Sequence, residues 1–401
     1  MANQSGHTKV WVSDLNRTTT RAFSGDGPIR FYDTTLRDGE QTVGVVFQPD
    51  QKLNLARHLD SLGVSRIEAG FARVSPEDAE AIRRIKEDGL KAEIWGFARA
   101  ARPDVDEIIR LGLKFTVIEI PTSAIKLKAY GISPADAIRK AADAVGHATS
   151  HGIYVTFFPV DSTRADLPFL KDICRAALDA GAEELAVVDT IGACSPEAVE
   201  SLIGEVRNWF GSKLPLHFHG HNDFGLATAC AIAAVRAGAN WIQGTINGMG
   251  ERAGNADIGE VALALQCLYN VPVALDLTRI RQVSQAVREA GKYELEPWKP
   301  LVGENLFVRE SGAVASQFHM PEAIEPYSAD LVGAQRQIVL GKKSGLDSIN
   351  LKARELGVNV PEAKRPAVLN AVKVKGAAAG RLVTDSEFLQ IVSEFAGESS
   401  H

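Results

Sequence analysis

Cysteine is scarce in this chain: Cys174, Cys194, Cys230 and Cys267 are the only four in 401 residues, and no two share the C-x-x-C spacing of a zinc site or redox pair. Scattered thiols of this kind suit a reducing, cytoplasmic setting. No stretch approaches the roughly 18 apolar residues that a membrane-crossing helix needs, so no membrane partner is expected. Residues 1–28 are polar, with Arg17, Arg21 and a Thr18-Thr19-Thr20 run, and read as a loose N-terminal arm rather than a secretory signal. Lys and Arg are nowhere concentrated. With 44 basic against 50 acidic residues the formal charge is −6, which leaves nothing to neutralise a phosphate backbone and excludes nucleic acid as the expected partner. What is present is an ordinary globular balance, 45% apolar and 23% charged, that points to small molecules.

From Ile29 onward, short β-branched or aromatic runs alternate with Ala/Leu/Glu/Arg stretches of helical period, the pattern of successive βα units. Eight such runs can be counted: Ile29–Thr34, Arg66–Phe71, Ala92–Phe97, Phe115–Ile120, Tyr154–Val160, Leu185–Thr190, Leu216–His221 and Trp241–Asn247. Helical segments such as Gln51–Leu62, Pro76–Glu87 and Ala135–Ser150 fill the gaps. Eight is the number that closes a (β/α)₈ barrel, whose usual size of about 250 residues fits the span. An open doubly wound sheet is the competitor, but no G-x-G-x-x-G follows the first run. Gly63, Gly112, Gly152, Gly181 and Gly238 each precede a strand by one apolar residue, as helix-ending glycines should. The α/β TIM barrel is therefore expected over 29–275. Beyond it the rhythm changes to Leu277–Ala290, an irregular Pro297–Gly312, an Ala/Lys-rich Arg354–Gly380 and an amphipathic Asp385–Phe395, read as C-terminal, mainly helical subdomains over 276–401, with disorder at Gly397–His401.

Active sites of such barrels lie where strands end. Here the first run leads into Asp33-Thr34-Thr35-Leu36-Arg37-Asp38-Gly39-Glu40-Gln41, the sixth ends Asp189-Thr190, the seventh ends His217-Phe218-His219-Gly220-His221-Asn222-Asp223, and the eighth runs on to Gly250-Glu251-Arg252-Ala253-Gly254-Asn255. Alternation puts His217, His219 and His221 on one face, and two imidazoles so spaced can bind one divalent ion, with Asp38 supplying an oxygen. A single inward histidine is more often a hydrogen-bonded core residue; three in phase at a strand end favour metal binding for at least a pair. A mixed His and carboxylate set admits Zn, Mn, Fe or Mg.

The stretches Asp33–Gln41 (DTTLRDGEQ), His219–Ala227 (HGHNDFGLA) and Gly250–Ala256 (GERAGNA) resemble the signatures of the DRE-TIM metallolyase superfamily, over about Ile29 to Leu268. The resemblance implies that Asp38, His219 and His221 bind a divalent metal with Asn255 as a fourth ligand, and that Arg37 stabilises the oxyanion of carbon–carbon bond making or breaking. It implies that Gln41, Glu68 and Thr190 line or support the substrate pocket. Glu68 reads equally well as a structural ion-pair partner inside the barrel.

Gly303–Gly312 (GENLFVRESG) and Val339–Gly345 (VLGKKSG) are similar to the post-barrel segment of the alkylmalate synthase branch, which condenses acetyl-CoA with a 2-oxo acid and includes homocitrate and isopropylmalate synthases. Gly341-Lys342-Lys343-Ser344 lacks the earlier glycine of a P-loop, so ATP is discounted. Two departures stand out. Where these synthases carry a His and a Tyr thought to assist proton transfer, this chain has Val314 and Ile324, leaving His319 or Tyr327 as substitutes, with His319 preferred. The losses also keep open the alternative of a carbon–carbon lyase or aldolase of the same superfamily. Strand five carries Thr156 and Val160 where members that bind dicarboxylic 2-oxo acids have a basic and an acidic residue, so Arg99, Lys126 or Lys128 would have to grip a distal anion. The resemblance further implies a homodimer, and the large amino-acid-sensing domain of leucine-pathway relatives is not expected here.

Overall fold

A computed structural model of the chain describes residues 9–19, 23 and 29–396. The arm expected over 1–28 lies largely outside the described residues, as does the disorder expected at Gly397–His401.

Eight parallel strands close into a barrel: β1 Arg30–Asp33, β2 Arg66–Glu68, β3 Glu93–Arg99, β4 Phe115–Pro121, β5 Tyr154–Val160, β6 Glu184–Asp189, β7 Leu216–Gly220 and β8 Trp241–Gly244. The order follows the chain, and β1 returns to pair with β8 through Arg30↔Trp241 to Asp33↔Gly244. This is the expected TIM barrel. Its helices begin on side-chain caps: Ser75, Ser133 and Ser195 each accept a backbone N–H three residues on and each is followed by proline, which has no N–H to lose there. The five helix-ending glycines all have φ between 65° and 110°. Two runs stop three residues short of their expected ends, β2 at Glu68 rather than Phe71 and β8 at Gly244 rather than Asn247. Gly70 (φ 146°) and Asn247 (φ 62°) turn the chain out of the sheet there.

The lower barrel interior holds charge as well as hydrocarbon. The aromatic residues Tyr32, Trp95 and Trp241 are buried. Between them the Arg66 guanidinium lies 3.7 Å from the centre of the Trp241 ring and 4.4 Å from that of Trp95. Arg66 donates to Glu184 at 2.6 and 3.1 Å and to Glu93 at 2.7 Å. Glu184 also accepts from Thr156 at 2.7 Å and Tyr154 at 2.9 Å, and faces His217 Nε2 at 2.8 Å. A carboxylate with so many donors tolerates burial, and its pKa is held well below the ordinary value because His217 and Arg66 outweigh desolvation.

Asp14–Glu294 forms one compact unit, and the chain from Leu295 on, with the segment that ends at Ser13, forms another. The helix Ile280–Gly291 thus belongs with the barrel, where the sequence reading drew its line after 275. Asn247 explains this: its Nδ2 donates to the Ser284 carbonyl at 3.2 Å and its Oδ1 accepts from Ser284 Oγ at 2.5 Å.

The second unit has its own core, built from Ile338, Leu340, Ile349, Val368, Val372 and Phe388. Its helices are Leu346–Glu355, Arg365–Ala379 and Asp385–Ala396, and two short parallel strands, Val308–Arg309 and Gln337–Ile338, pair beside them. The two segments singled out in the sequence pack on each other. A Cβ on Gly312 would meet Gly345 Cα at 2.6 Å, and Glu310 accepts the Lys343 N–H at 2.9 Å. The Gly341–Ser344 turn is therefore structural, its amides spent on Glu310 and on the Ser344 hydroxyl.

Candidate metal centre and active site

The loop after β1 is shaped by its first residues and armed by its later ones. Asp33 accepts from Thr35 N and Oγ1, both at 2.9 Å, and Thr35 Oγ1 in turn accepts from Ile246 N at 2.9 Å. Thr34 N donates to the Gly244 carbonyl at 2.9 Å. Asp33, Thr34 and Thr35 thus lock the first loop to the eighth strand, and this aims Arg37 and Asp38 across the barrel mouth.

Alternation on β7 carries His219 inward, and His221 follows at the strand's end. Asp38 Oδ2 lies 3.5 Å from His219 Nε2 and 3.8 Å from His221 Nε2, and the two ring nitrogens are 3.3 Å apart. One ligand atom from each of the three residues falls within 4.8 Å of the others, and all three residues are buried. Burial holds His219 down to about 3 against the pull of Asp38, and it lowers His221 as well. Both rings are neutral at pH 7 and carry a lone pair. Burial alone would raise Asp38, yet Arg37, His219 and His221 together hold it at about 2, so it is ionised.

Asn255 closes the group. Its Nδ2 donates to Asp38 Oδ1 at 3.2 Å and to the Met249 carbonyl at 2.9 Å, leaving Oδ1 buried with no protein partner. Two imidazoles, a carboxylate and an orphaned amide oxygen are a donor set that fits a borderline or hard divalent cation. The GERAGNA segment bends to allow this. Gly250 has φ 149° and its Cβ position is filled by Asn255 Nδ2, while Gly254 (φ 82°) sits directly against the Gly248 carbonyl.

Arg37 stands beside the cation site. Its Nε donates to Glu68 at 2.8 Å, its Nη1 lies 3.3 Å from Asp38, and its guanidinium stacks 4.4 Å from the centre of the Phe97 ring. Glu68 is fully buried behind it, with Oε1 unpartnered.

A cavity of about 590 Å³ brings together Arg37, Asp38, Gln41, Arg99, Thr190, His219 and His221. Thr190 Oγ1 accepts the Asp161 N–H at 2.7 Å, and Arg99 is clamped to Asp104 at 2.7 and 3.1 Å. Lys126 lines the same cavity, whereas Lys128 is exposed and does not. His217 is not a third ligand: two residues deeper on β7, it is spent on Glu184. His319 lies in the C-terminal unit with an exposed ring, Nδ1 3.1 Å from the Ser316 carbonyl. Tyr327, in the same unit, is buried edge-on against Phe307.

Among the cavity residues with no place in the sequence reading are the charged Arg73, Asp104, Glu119 and Lys140. Glu119 could have been found, since it falls in phase with inward Phe115 and Val117 near the C-terminal end of β4. Burial pushes its carboxyl up to about 7, against the pull of Arg37. A second cavity of about 630 Å³ adjoins the first, shares Arg37, Gln41 and Phe71 with it, and is otherwise lined by Val45, Val46, Phe47, Val74 and acidic residues.

Residues 28–287 match the HMGL-like family. The chain belongs to this family. It is 41% identical over 363 residues to homocitrate synthase AksA of Methanopyrus kandleri, with 90% of this chain and 91% of that protein covered. It is 38% identical to a putative (R)-citramalate synthase CimA of the same organism (92% and 73% covered) and 39% identical to 2-isopropylmalate synthase of Methanocaldococcus jannaschii (92% and 72%). Among solved structures, the HMG-CoA lyase of Bacillus subtilis superposes with a TM-score of 0.61 at 17% identity, over 69% of this chain and 97% of the lyase. That likeness is one of HMGL-like barrel architecture.

Proposed function

We propose that this HMGL-like chain is an alkylmalate-type synthase: an acyltransferase that condenses acetyl-CoA with a 2-oxo acid to a 2-substituted malate and free CoA. The observation that carries this reading is the convergence of Asp38, His219 and His221 beside Arg37 in one cavity. It is supported by the homocitrate, citramalate and isopropylmalate synthase names of relatives matched along nearly the whole chain. The competing lyase reading has support only from barrel architecture.

In the reaction the acetyl methyl group gives up a proton, its carbon bonds to C2 of the oxo acid, and water then cleaves the thioester, releasing the CoA thiol. Asp38, His219, His221 and Asn255 are the residues that would hold a divalent cation, Zn, Mn, Fe or Mg. When bound, such an ion supplies Lewis-acid polarisation of the 2-oxo acid carbonyl. Arg37 is a fixed cation whose fork is held by Glu68 and stacked on Phe97, so it offsets negative charge developing on oxygen without rearranging. Thr190 and Gln41 place polar groups on the oxo-acid cavity. The adjoining cavity combines the apolar Val45, Val46, Phe47 and Val74 with the carboxylates Glu40, Glu77 and Asp78, and so suits the neutral pantetheine arm of acetyl-CoA rather than its phosphates, with Arg37 on the wall common to both. We propose His319 for the proton-transfer role that the synthase resemblance gives to a tail His, here Val314. We further propose a cytoplasmic setting and a homodimer. No described helix is long and apolar enough to cross a membrane.

A thiol-release assay with acetyl-CoA against pyruvate, 2-oxoisovalerate and 2-oxoglutarate tests the condensation. CoA released in step with consumption of one oxo acid supports it, whereas oxo acid formed from a 2-hydroxy acid would favour cleavage. Light scattering on the eluted protein tests the dimer, and His319→Phe tests the proton-transfer role.

A further inference from the structure

The oxo-acid cavity is lopsided in charge. Its cation-binding group comes from β1, β7 and the loop after β8, while four positive side chains follow β2, β3 and β4, three of them across the closed barrel from β7 and β8. Arg73 follows β2, Arg99 ends β3, and Lys126 and Lys140 lie on the helices Ala124–Tyr130 and Pro134–Ser150 after β4. In an eight-stranded ring β3 faces β7 and β4 faces β8. Between the two sides the walls are apolar, with Phe97, Phe158, Ile120 and Val188.

These cations are not neutralised locally. Arg99 and Arg73 share one carboxylate, Asp104, which is 2% exposed and lies 2.7 Å from Arg99 and 3.2 Å from Arg73. Among the described residues the Lys126 ammonium makes no hydrogen bond or ion pair, and Lys140 has Asp136, a turn back, as an electrostatic neighbour without a contact. Glu119 is the one further carboxylate that points in on this side. Even with Glu119 ionised, at least two positive charges stand in excess at the end of an apolar span. The inner face of β5 supplies no such charge: Thr156 is spent on Glu184, and Phe158 and Val160 are apolar.

We propose that Lys126 and Lys140, backed by the Arg73–Asp104–Arg99 cluster, form the specificity subsite for the oxo acid, and that the substrate is a 2-oxo acid whose chain ends in a second anionic group. The inference rests on the condensation proposed above, since it takes the oxo-acid end to lie at Asp38, His219 and His221. A substrate ending in a branched hydrocarbon would strip water from unpaired ammonium groups and return nothing, whereas a terminal acid group pairs with them. Because Lys126 is only half-buried and Lys140 is exposed, the discrimination weakens with salt.

Calorimetry on the full chain loaded with Mn²⁺ or Zn²⁺, without acetyl-CoA, separates this inference from the function itself. At low salt 2-oxoglutarate is expected to bind at least about tenfold more tightly than pyruvate or 2-oxoisovalerate. The double variant K126A/K140A should lose that advantage while binding pyruvate as the parent does, and K126E/K140E should reject the dianion outright. Equal binding of the three acids, tighter binding of 2-oxoisovalerate, or an advantage that survives K126A/K140A would overturn the subsite. Thiol release judges the condensation independently. CoA released without preference for the dianion removes the subsite and leaves the synthase, and a dianion preference without CoA release does the reverse.

Discussion

Arg37 is held by a buried carboxylate on one side and an aromatic face on the other, so its charge is already in position before substrate arrives. Replacing it with Ala should lower kcat by about 10²- to 10³-fold, the range seen when one oxyanion donor is removed. Lys in its place should recover little, because a point charge cannot keep both the Glu68 bond and the stacking on Phe97. Steady-state kinetics with saturating acetyl-CoA would show it, and a variant of near-parental kcat would remove Arg37 from the chemistry. Asp33 makes a different prediction. Burial pushes its carboxyl up to about 7 despite the Thr35 bonds, whereas in the unfolded chain it titrates near the usual value of about 3.9. Between those limits the folded chain keeps a proton that the unfolded chain has released, so this group's contribution falls as pH rises from about 4 to about 7 and is flat above. Urea unfolding of the parent and of Asp33→Asn across that window should give a shallower slope for the variant; parallel slopes would mean that Asp33 ionises freely. At this scale Asp38, His219 and His221 could be read from the chain because strand alternation alone aligns them. His217 could not be told from them by phase, since what separates it is depth, and depth depends on Glu184, Thr156 and Tyr154 arriving from β5 and β6.

Elements impose their own constraints. The β8 loop carries Asn255 only because Gly250 leaves room for its amide. Gly250→Ala should therefore weaken divalent-cation affinity by about tenfold or more while leaving far-UV circular dichroism unchanged, as expected when a residue that orients a ligand is disturbed. Titration with Mn²⁺ or Zn²⁺ reads this directly, and unchanged affinity would show that Asn255 is dispensable. Deeper in the barrel, Glu184→Ala leaves Arg66 and His217 buried without their carboxylate and should cost about 3–5 kcal/mol of stability. Denaturant midpoints compare the two proteins, and a loss below about 1 kcal/mol would mean that water replaces the pair. The strands were apparent in the sequence because β-branched runs and helix-ending glycines mark them. The points where β2 and β8 leave the sheet were not, for they are set by single backbone torsions at Gly70 and Asn247 that no periodicity announces. The cationic side of the cavity was half hidden for a similar reason: Arg99 and Lys126 lie close to strand ends, whereas Lys140 is nearly two turns into the helix Pro134–Ser150 and reaches the cavity only through the packing of that helix.

For the whole molecule, removal of the cation is the simplest perturbation. Chelation should abolish thiol release and lower the melting temperature by about 5 °C if the ion is normally present at a hundred times its dissociation constant, and replacement of the ion should restore both. Turnover that survives exhaustive chelation would leave Asp38, His219 and His221 as a hydrogen-bonded cluster and nothing more. Their separation along the chain has one more consequence. Asp38 emerges from the ribosome about 180 residues before His219, and Asn255 later still, so no nascent fragment ending before β8 can grip an ion tightly. With these residues as the proposed ligands, acquisition of a metal would be a late event of biosynthesis, a clasp fastened only after the ring has shut, and the kinetics of ion uptake during refolding would time the closure of the barrel itself.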